Sequence, residues 1–478
     1  MEAEPSLTAA RGKFKPTEIR VDNGDPFLND KLNRQKEIEN LSNLLLNSEA
    51  PLVLAIDAPW GSGKTTFQKM WKAYLSKEHG SYATIYFSAW ETDLSDDPLY
   101  VFLGEMNAQL ASVATDITRI KWEKALSLAG QITKRSLPAL AKLLTYGVLD
   151  LKESGIEKTL ADLSGEVVSE TLDAYKASVT AIQQFKENLT DVLKESGNNN
   201  PVIVFVDELD RCRPQYAIAL LERVKHLLNL PNLFFVLGID RMQLANAIRG
   251  AYGERFDAET YLQRFIDLDY RLPVRDPNAF IQNLVMEYGL DAFFEGRRSI
   301  SNVYIRNESQ NLNEICIDLA KLFDLQLREI EQLLARVNIV ARSTEASQPI
   351  YPHLLIGLLV LRAKVPDLYL SLIRPKGSSI DFLDLITQKW ESQVLDSADN
   401  IGILIALVIQ VISDRNAADP GVAHVTARCT AAEGISAAES NLMSSAALYI
   451  RQFASQPTMR IHLDGLIQRI EMAGNFLV

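Results

Sequence analysis

The sequence is poor in cysteine and its histidines are scattered, so two classes of protein are excluded at once. Its 478 residues contain three cysteines, Cys212, Cys316 and Cys429, which are widely spaced and odd in number. They match neither a secreted disulfide framework nor a zinc site, and the five histidines share no metal-binding spacing. A reducing compartment fits this usage best, and we expect a cytoplasmic protein.

Long apolar runs are also missing. The longest, residues 354–361 and 401–412, fall short of the roughly 20 residues that a membrane helix needs, so we expect both to form buried helices. Residues 1–20 have no apolar run and carry Glu2 and Glu4 early, unlike a secretory signal. The sequence therefore predicts neither export nor insertion into a membrane.

Basic residues are outnumbered by acidic ones, 49 to 61, and the formal net charge is −12. Such a charge opposes unaided binding to the phosphates of nucleic acid. A small basic cluster, Lys134, Arg135 and Lys142, leaves a local basic groove open. Nucleic acid is therefore a disfavoured partner, although it is not excluded.

Short apolar runs bounded by turn residues predict a parallel sheet in the first half of the chain. The predicted strands are residues 52–56, 84–88, 202–206 and 233–237. Helical periodicity predicts a helix over 30–47, an inserted bundle over about 105–195, and helices over 322–337 and 447–478. Residues 414–439 are rich in alanine and polar residues, which favours a mobile surface stretch. We expect an α/β fold followed by an all-helical domain.

A glycine-rich turn follows the first predicted strand and opens a helix, the context that a phosphate-binding loop requires. The glycines let backbone N–H groups face phosphate oxygens, and the helix adds its positive dipole end. Lys64 would reach the β- and γ-phosphates of ATP, and the Thr65 hydroxyl would bind Mg²⁺. Ala58 replaces the usual first glycine, which is tolerated if its φ stays negative. The expected nucleotide-binding residues are Pro59, Trp60, Gly61, Ser62, Gly63, Lys64, Thr65 and Thr66.

Two acidic residues end the third predicted strand. Asp207 would hold the outer shell of Mg²⁺, and Glu208 would orient or deprotonate the attacking water. The alternative interpretations are that the two acids cap a helix and that the upstream loop is an ordinary turn. A full hydrolytic set, with no second catalytic group after residue 277, predicts an ATPase.

These motifs resemble those of the KAP family of P-loop NTPases. The resemblance rests on residues 59–65, 88–91, 207–214, 233–241 and 261–266, whose sequences are PWGSGKT, SAWE, DELDRCRP, LFFVLGIDR and YLQRFI. It implies an AAA-like core with an additional strand, bound ATP or another NTP, and a helical insertion between the two nucleotide motifs. It also indicates the soluble bacterial branch, whose members are often associated with defence against phage.

The resulting domain prediction has three parts. Residues 1–25 form a flexible arm, residues 26–275 form a KAP-type P-loop NTPase domain with the insertion, and residues 276–478 form a helical domain. In many family members the insertion carries membrane helices, but charged residues interrupt every candidate span here, among them Lys142 and Asp150.

Three arginines are candidates for meeting γ-phosphate charge. Arg211 either has this role or forms a structural salt bridge. Arg264 resembles the position from which AAA-like proteins donate a finger to a neighbouring subunit, which would require a homo-oligomer. Arg328 resembles a lid arginine that senses the γ-phosphate, with a solvated helix arginine as the alternative.

Three further residues have two interpretations each. Asp240 is either a polar sensor near the γ-phosphate or a helix cap. Cys212 is expected to be buried and structural rather than reactive. Trp90 is expected in the core rather than as a platform for a base.

The sequence as a whole predicts an ATP-driven switch that acts on a partner protein, with antiviral defence suggested by the family resemblance. A scaffold that binds ATP without turning it over is one alternative, and Glu208 argues against it. A motor or clamp on nucleic acid is another, and the net acidity argues against that one.

Overall fold

The computed structural model describes residues 20–95, 97–110, 116–135, 165–197, 199–273, 276–297, 308–345, 348–374, 376–392, 397–430, 435–455 and 463–476. The chain divides near residue 274 into two compact units. Most of the predicted arm, the centre of the predicted insertion and Lys142 lie outside the described residues, as do the side chains of Lys134 and Arg135.

The first unit is built on a parallel sheet, and five strands of it lie within the described residues in the order β2-β3-β4-β1-β5. The strands are β1 Leu52–Asp57, β2 Thr84–Ser88, β3 Val202–Asp207, β4 Leu233–Ile239 and β5 Leu268–Arg271. All neighbouring strands pair in parallel, so their carboxyl ends meet at one edge of the sheet. The predicted α/β fold with a parallel sheet is confirmed, and four strands match their predicted positions closely.

Helices cover both faces of this sheet. They are α1 Gln35–Leu46, α2 Lys64–Glu78, α3 Pro98–Leu110, α4 Asp116–Arg135, α5 Gly165–Ser196, α6 Pro214–His226, α7 Arg241–Tyr252 and α8 Ala258–Leu262. Phe205 of β3 packs on one face with Trp71 of α2, while Val204 and Val206 face the opposite core with Phe102 of α3. Because both faces are covered, every residue of β3 is buried, which is why the strand is a continuous apolar run.

Helix α1 begins later than the periodicity predicts. The Asp30 carboxylate accepts hydrogen bonds from the N–H groups of Arg34 and Gln35, at 2.5 and 3.0 Å. A carboxylate that binds the first free N–H groups of a helix marks its start. The residues from Asp30 to Asn33 are therefore the entrance to the helix and not its first turn.

All the secondary-structure elements described in the second unit are helices, as predicted. Its helices are α9 Asn278–Glu287, α10 Leu290–Arg297, α11 Glu308–Leu322, α12 Leu327–Arg342, α13 Pro352–Lys364, α14 Pro366–Ile373, α15 Ile380–Ser392, α16 Asp399–Arg415, α17 Gly421–Thr430, α18 Ala437–Ala454 and α19 Leu463–Gly474. Helices α13 and α16 contain the two longest apolar runs and are buried, which confirms that prediction.

Two details of the helical prediction are wrong. Leu322 ends α11, and a turn separates it from α12, which begins at Leu327 with a capping box between Gln326 and Glu329. The pattern over 447–478 belongs to two helices rather than one. The stretch over 414–439 includes α17, in which only Gly421 and Val425 are buried, and its mobility stays a prediction.

No described helix combines the length and the apolarity that crossing a membrane requires.

Candidate functional site

The glycine-rich loop joins the carboxyl end of β1 to α2. Gly61 and Gly63 have φ values of 80° and 89°, in the left-handed region that glycine adopts at little cost. Gly63 is also the N-cap of α2 and has no side chain, so it leaves the first N–H groups of the helix free to bind an anion. Ala58 does not adopt a positive φ, and its N–H donates to Ile239 O at 3.1 Å. A small residue is therefore accommodated where a glycine is usual.

Lys64 is 8% exposed and folds back onto its own loop. Its ammonium group donates to the carbonyl oxygens of Ala58 and Pro59. Burial lowers the pKa of Lys64, and the nearby carboxylates oppose this shift, in the order Asp210, Asp240, Asp207 and Asp57. The lysine thus lies among acidic groups from three strand ends. Neutral carbonyls are weaker acceptors than a phosphate oxygen, so a phosphate could replace them.

The loop also contains an unsatisfied polar atom. The Ser62 hydroxyl oxygen is buried and has no hydrogen-bond partner. A buried hydroxyl without a partner keeps its capacity for hydrogen bonding, which a bound ligand would use. Together with the positive-φ glycines, this fits a phosphate group. Thr65 is half-buried in the first turn of α2, next to Lys64.

Asp207 ends β3 and is almost fully buried. Its Oδ2 accepts a hydrogen bond from the Tyr86 hydroxyl at 2.8 Å, and its Oδ1 accepts one from the Glu208 N–H at 2.9 Å. Burial, followed by the Asp207 carboxylate, raises the pKa of Tyr86, so the phenol stays protonated and donates. The oxygen atoms of Thr65 and Asp207 are the kind of ligand that Mg²⁺ prefers, together with substrate phosphates. The donor set therefore fits this ion.

Glu208 has a φ of 61°, a left-handed conformation that costs a non-glycine residue about 1–2 kcal/mol. Its carboxylate accepts from the Ser88 hydroxyl at 3.1 Å and pairs with the Arg211 guanidinium. It precedes a short 3₁₀ turn, Leu209–Arg211, but its side chain makes no capping hydrogen bond. The helix-cap alternative therefore does not account for Glu208, whose strained backbone is typical of a functional position.

Asp210 is a residue to which the sequence analysis assigned no role. It is buried, and its Oδ2 accepts a hydrogen bond from the indole Nε1–H of Trp60. Burial raises the pKa of Asp210, against the opposing effects of Lys64 and then of the Trp60 hydrogen bond. The sequence does mark this residue, because Asp210 belongs to the same contiguous motif as Asp207 and Glu208.

Asp240 follows β4 and is buried. Its Oδ1 accepts from the Gln243 N–H at 3.1 Å, which makes Asp240 the N-cap of α7. Its Oδ2 accepts from the backbone N–H of Trp60 at 3.2 Å. The helix-cap interpretation is therefore supported, and the same carboxylate also holds the phosphate-binding loop.

The three candidate arginines lie in different places. Arg211 makes the salt bridge to Glu208, and its guanidinium lies 5.7 Å from the centre of the Trp90 ring. Arg264 is exposed and lies three residues before Asp267, whose N–H donates to Val53 O near the amino end of β1. Arg264 is therefore at the end of the sheet opposite the glycine-rich loop of its own chain. Arg328 is exposed on α12 in the second unit, and its role stays a prediction.

Trp90 and Cys212 were both expected to be buried. Trp90 is 53% exposed, so its predicted place in the core is wrong. Cys212 is buried, as expected, and burial raises the pKa of its thiol, which opposes a reactive thiolate. Within the described ranges, no group of three or more His, Cys, Asp or Glu side chains could hold a metal ion.

A known family and a curated protein are similar to this chain. The model of the KAP family P-loop domain matches residues 34–344. The phage T7 exclusion protein of Escherichia coli (strain K12) is 24% identical over 257 residues, which are 51% of this chain and 33% of that protein. The chain thus spans about a third of the length of this curated relative.

Two solved structures of the Aeropyrum pernix ORC2 protein also match. The ADP form aligns at 15% identity with a TM-score of 0.32, and the ADPNP-ADP complexes at 14% with a TM-score of 0.31. Each alignment covers 96% of this chain and 95% of the ORC2 chain. These scores are too low to bear on function.

Proposed function

The chain belongs to the KAP family of P-loop NTPases, and we propose that it is a cytoplasmic switch that binds and hydrolyses ATP and acts on a partner protein. The observation that carries the proposal is the convergence of Lys64, Asp207 and Glu208 at the carboxyl ends of parallel strands. Ligands bind at this edge in open α/β sheets. The proposed NTPase domain is residues 26–275, and residues 276–478 form the proposed helical domain that transmits the output.

ATP binding follows from the loop. Lys64 exchanges its carbonyl acceptors for phosphate oxygens, and the orphaned Ser62 hydroxyl and the N–H groups after Gly63 gain acceptors. Thr65 and Asp207 would hold Mg²⁺ together with the nucleotide. When bound there, the ion neutralises charge that develops on the phosphate oxygens.

Hydrolysis requires a base close to the γ-phosphate. Glu208 is the glutamate next to Asp207, and Ser88 fixes its carboxylate at 3.1 Å. In this role Glu208 orients the attacking water and accepts its proton. Arg211 and Arg264 are the proposed cations for the transferred charge, Arg264 acting on a second copy because it lies at the opposite end of the sheet.

The process in which the switch acts is suggested by its relative. That protein is named for exclusion of phage T7, and the aligned region is about half of this chain. We therefore place the switch in defence of bacteria against phage. Its partner is a protein, since the net charge of −12 disfavours nucleic acid.

Steady-state ATP hydrolysis by the full chain is the direct test, compared with E208Q, K64A and the control E254Q, which changes an exposed glutamate. E208Q is expected to bind ATP normally and to lose turnover by at least about 100-fold, as expected for loss of a general base. K64A is expected to lose ATP binding, and E254Q to match the wild type.

Two outcomes contradict parts of this proposal. Tight ATP binding without turnover, alone and with candidate partners, indicates an ATP-bound scaffold instead. Equal ATP affinity in K64A and the wild type contradicts the site itself. The defence role is tested by phage plating on bacteria that express either the wild type or K64A, and equal plaque counts on both and on cells lacking the protein argue against it.

A further inference from the structure

Tyr86 makes a contact in the candidate site that the roles above do not use. Its hydroxyl donates to Asp207 Oδ2 at 2.8 Å, from β2, the strand next to β3. In the register of the two strands, Ser88 faces Asp207 and Tyr86 faces Phe205. Tyr86 therefore lies nearer the amino ends of the strands than Asp207 does, and its side chain is long enough to reach the carboxylate at the strand end.

The backbone of Tyr86 is held on its outer side. Among the described strands, β2 is at the edge of the sheet, so one row of its backbone groups has no strand partner within that part of the chain. The Gln109 carboxamide of α3 binds both such groups of Tyr86: the Tyr86 N–H donates to Oε1 at 3.0 Å, and Nε2 donates to Tyr86 O at 2.7 Å. This pair fixes the strand at the residue that carries the hydroxyl.

The Tyr86 ring is fixed as well. It packs against the core cluster that contains Phe205 and Trp71, and the Lys69 ammonium lies 5.7 Å from the ring centre. The ring is thus held between the sheet and α2. The Tyr86 hydroxyl is therefore held in a fixed position relative to the Asp207 carboxylate.

Asp207 is also restrained on its other side. Its Oδ1 accepts from the Glu208 N–H, and a Cβ atom at Gly238 would lie 3.0 Å from the same oxygen. Each carboxylate oxygen thus has one neutral donor and keeps further lone-pair capacity. This arrangement leaves the carboxylate oriented and able to accept more hydrogen bonds.

We propose that Tyr86 is a positioning residue for magnesium binding. The Tyr86 hydroxyl holds the Asp207 carboxylate in the orientation that faces the Mg²⁺ ion bound together with ATP. The inference rests on the proposed function, because it concerns the same site. Hydrogen bonds to ligating carboxylates orient them, and their loss costs about 10- to 100-fold in metal affinity or activity. Tyr86 acts through Asp207 and touches neither ATP nor the reacting atoms.

The test is binding of mant-ATP, a fluorescent ATP analogue, by the full chain in EDTA and across a titration with MgCl₂. Y86F keeps the ring and removes the hydroxyl. We expect its affinity in EDTA to equal that of the wild type and its half-saturating Mg²⁺ concentration to rise by about 10-fold. Y74F is the matched control, because Tyr74 packs against the same core cluster and its ring contacts Phe27 and His79.

The outcomes separate the two proposals. The inference is overturned if the half-saturating Mg²⁺ concentration of Y86F is unchanged or lowered, or if that of Y74F rises equally. Each of these results leaves the proposed ATP binding intact. Binding by the wild type that Mg²⁺ does not affect overturns it as well. No mant-ATP binding by the wild type overturns the proposed function together with this inference. A merely structural hydroxyl would lower the thermal stability of Y86F without changing its Mg²⁺ dependence.

Discussion

The indole N–H of Trp60 donates to the carboxylate of Asp210, which ties the phosphate-binding loop to the turn that follows β3. The indole itself is exposed, while Asp210 is buried and is the strongest carboxylate influence on Lys64. In this structure Asp210 therefore acts as a counter-charge to Lys64. A phosphate group that approaches the lysine has to compete with it.

The first prediction concerns this competition. D210N removes one negative charge beside Lys64 and keeps an oxygen that can accept from the Trp60 indole. We expect ATP to bind about fivefold more tightly, a gain of ~1 kcal/mol, since nearby charges in a partly buried site interact at this scale or above. Mant-ATP titration measures the change. Weaker binding in D210N would indicate that Asp210 contributes directly to holding the nucleotide.

The second prediction concerns Gly238, the penultimate residue of β4. A Cβ atom there would lie 2.6 Å from the Gln68 amide nitrogen and 3.0 Å from Asp207 Oδ1. Gln68 is fully buried, so its amide has to shift within a packed core to admit the Cβ atom. G238A is therefore expected to destabilise the protein by about 1–3 kcal/mol, the usual cost of overpacking a core.

Urea unfolding measures this difference, and Gly250 provides the control. A Cβ atom at Gly250, inside α7, would meet nothing within 4 Å. G250A should be neutral or stabilising, by up to about 1 kcal/mol, because alanine favours a helix. Equal stability of G238A and the wild type would show that Gln68 can shift at no cost.

The sheet could be predicted mostly where burial makes the sequence apolar. Strand β3 is buried at every position and was predicted correctly, apart from its last residue, Asp207. Strand β5 was missed, because three of its four residues are exposed and it is the last of the described strands at its side of the sheet. An exposed edge strand has no apolar run for a periodicity argument to detect.

The residues of the candidate site also differ in how far the sequence could predict them. The loop around Lys64 and the acids after β3 could be predicted from local spacing, because each motif is contiguous. Tyr86 and Gln109 could not, since their contacts depend on strand register and on helix α3 covering a sheet edge. Trp90 was misplaced because a tryptophan favours burial in general, whereas here it is exposed and close to Arg211.

The third prediction is a pH dependence of stability in the second unit. His353 is buried, and burial lowers its pKa to about 4, although a hydrogen bond with Asn400 and the charge of Glu314 oppose the shift. The Asn400 amide nitrogen donates to Asp318, so its oxygen accepts from His353 Nε2–H at 3.2 Å. The folded unit therefore holds His353 neutral.

In the unfolded chain this histidine titrates near its ordinary value of 6.5. Between about pH 6.5 and 4 the unfolded chain binds more protons, so stability is full above this window and is lost as the pH falls through it. The loss is at most about 3 kcal/mol. Urea unfolding at pH 7 and pH 5 should give a smaller difference for H353Q than for the wild type, whereas the same change at His424 should leave it unaltered. An equal difference in H353Q would assign the acid sensitivity to other groups.

The last prediction tests whether Arg264 serves a second copy. The glycine-rich loop of the same chain is at the opposite end of β1 from Arg264. R264A and E208Q therefore each remove a different component of a shared site. R264A alone should lose turnover by about 1,000-fold, as for removal of an arginine finger. A 1:1 mixture should regain turnover at about a quarter of the wild-type sites, because random assembly pairs an intact Glu208 with an intact Arg264 that often. R255A, which changes another exposed arginine, should hydrolyse ATP like the wild type. Absence of recovery at any mixing ratio and protein concentration would place the action of Arg264 outside a shared site.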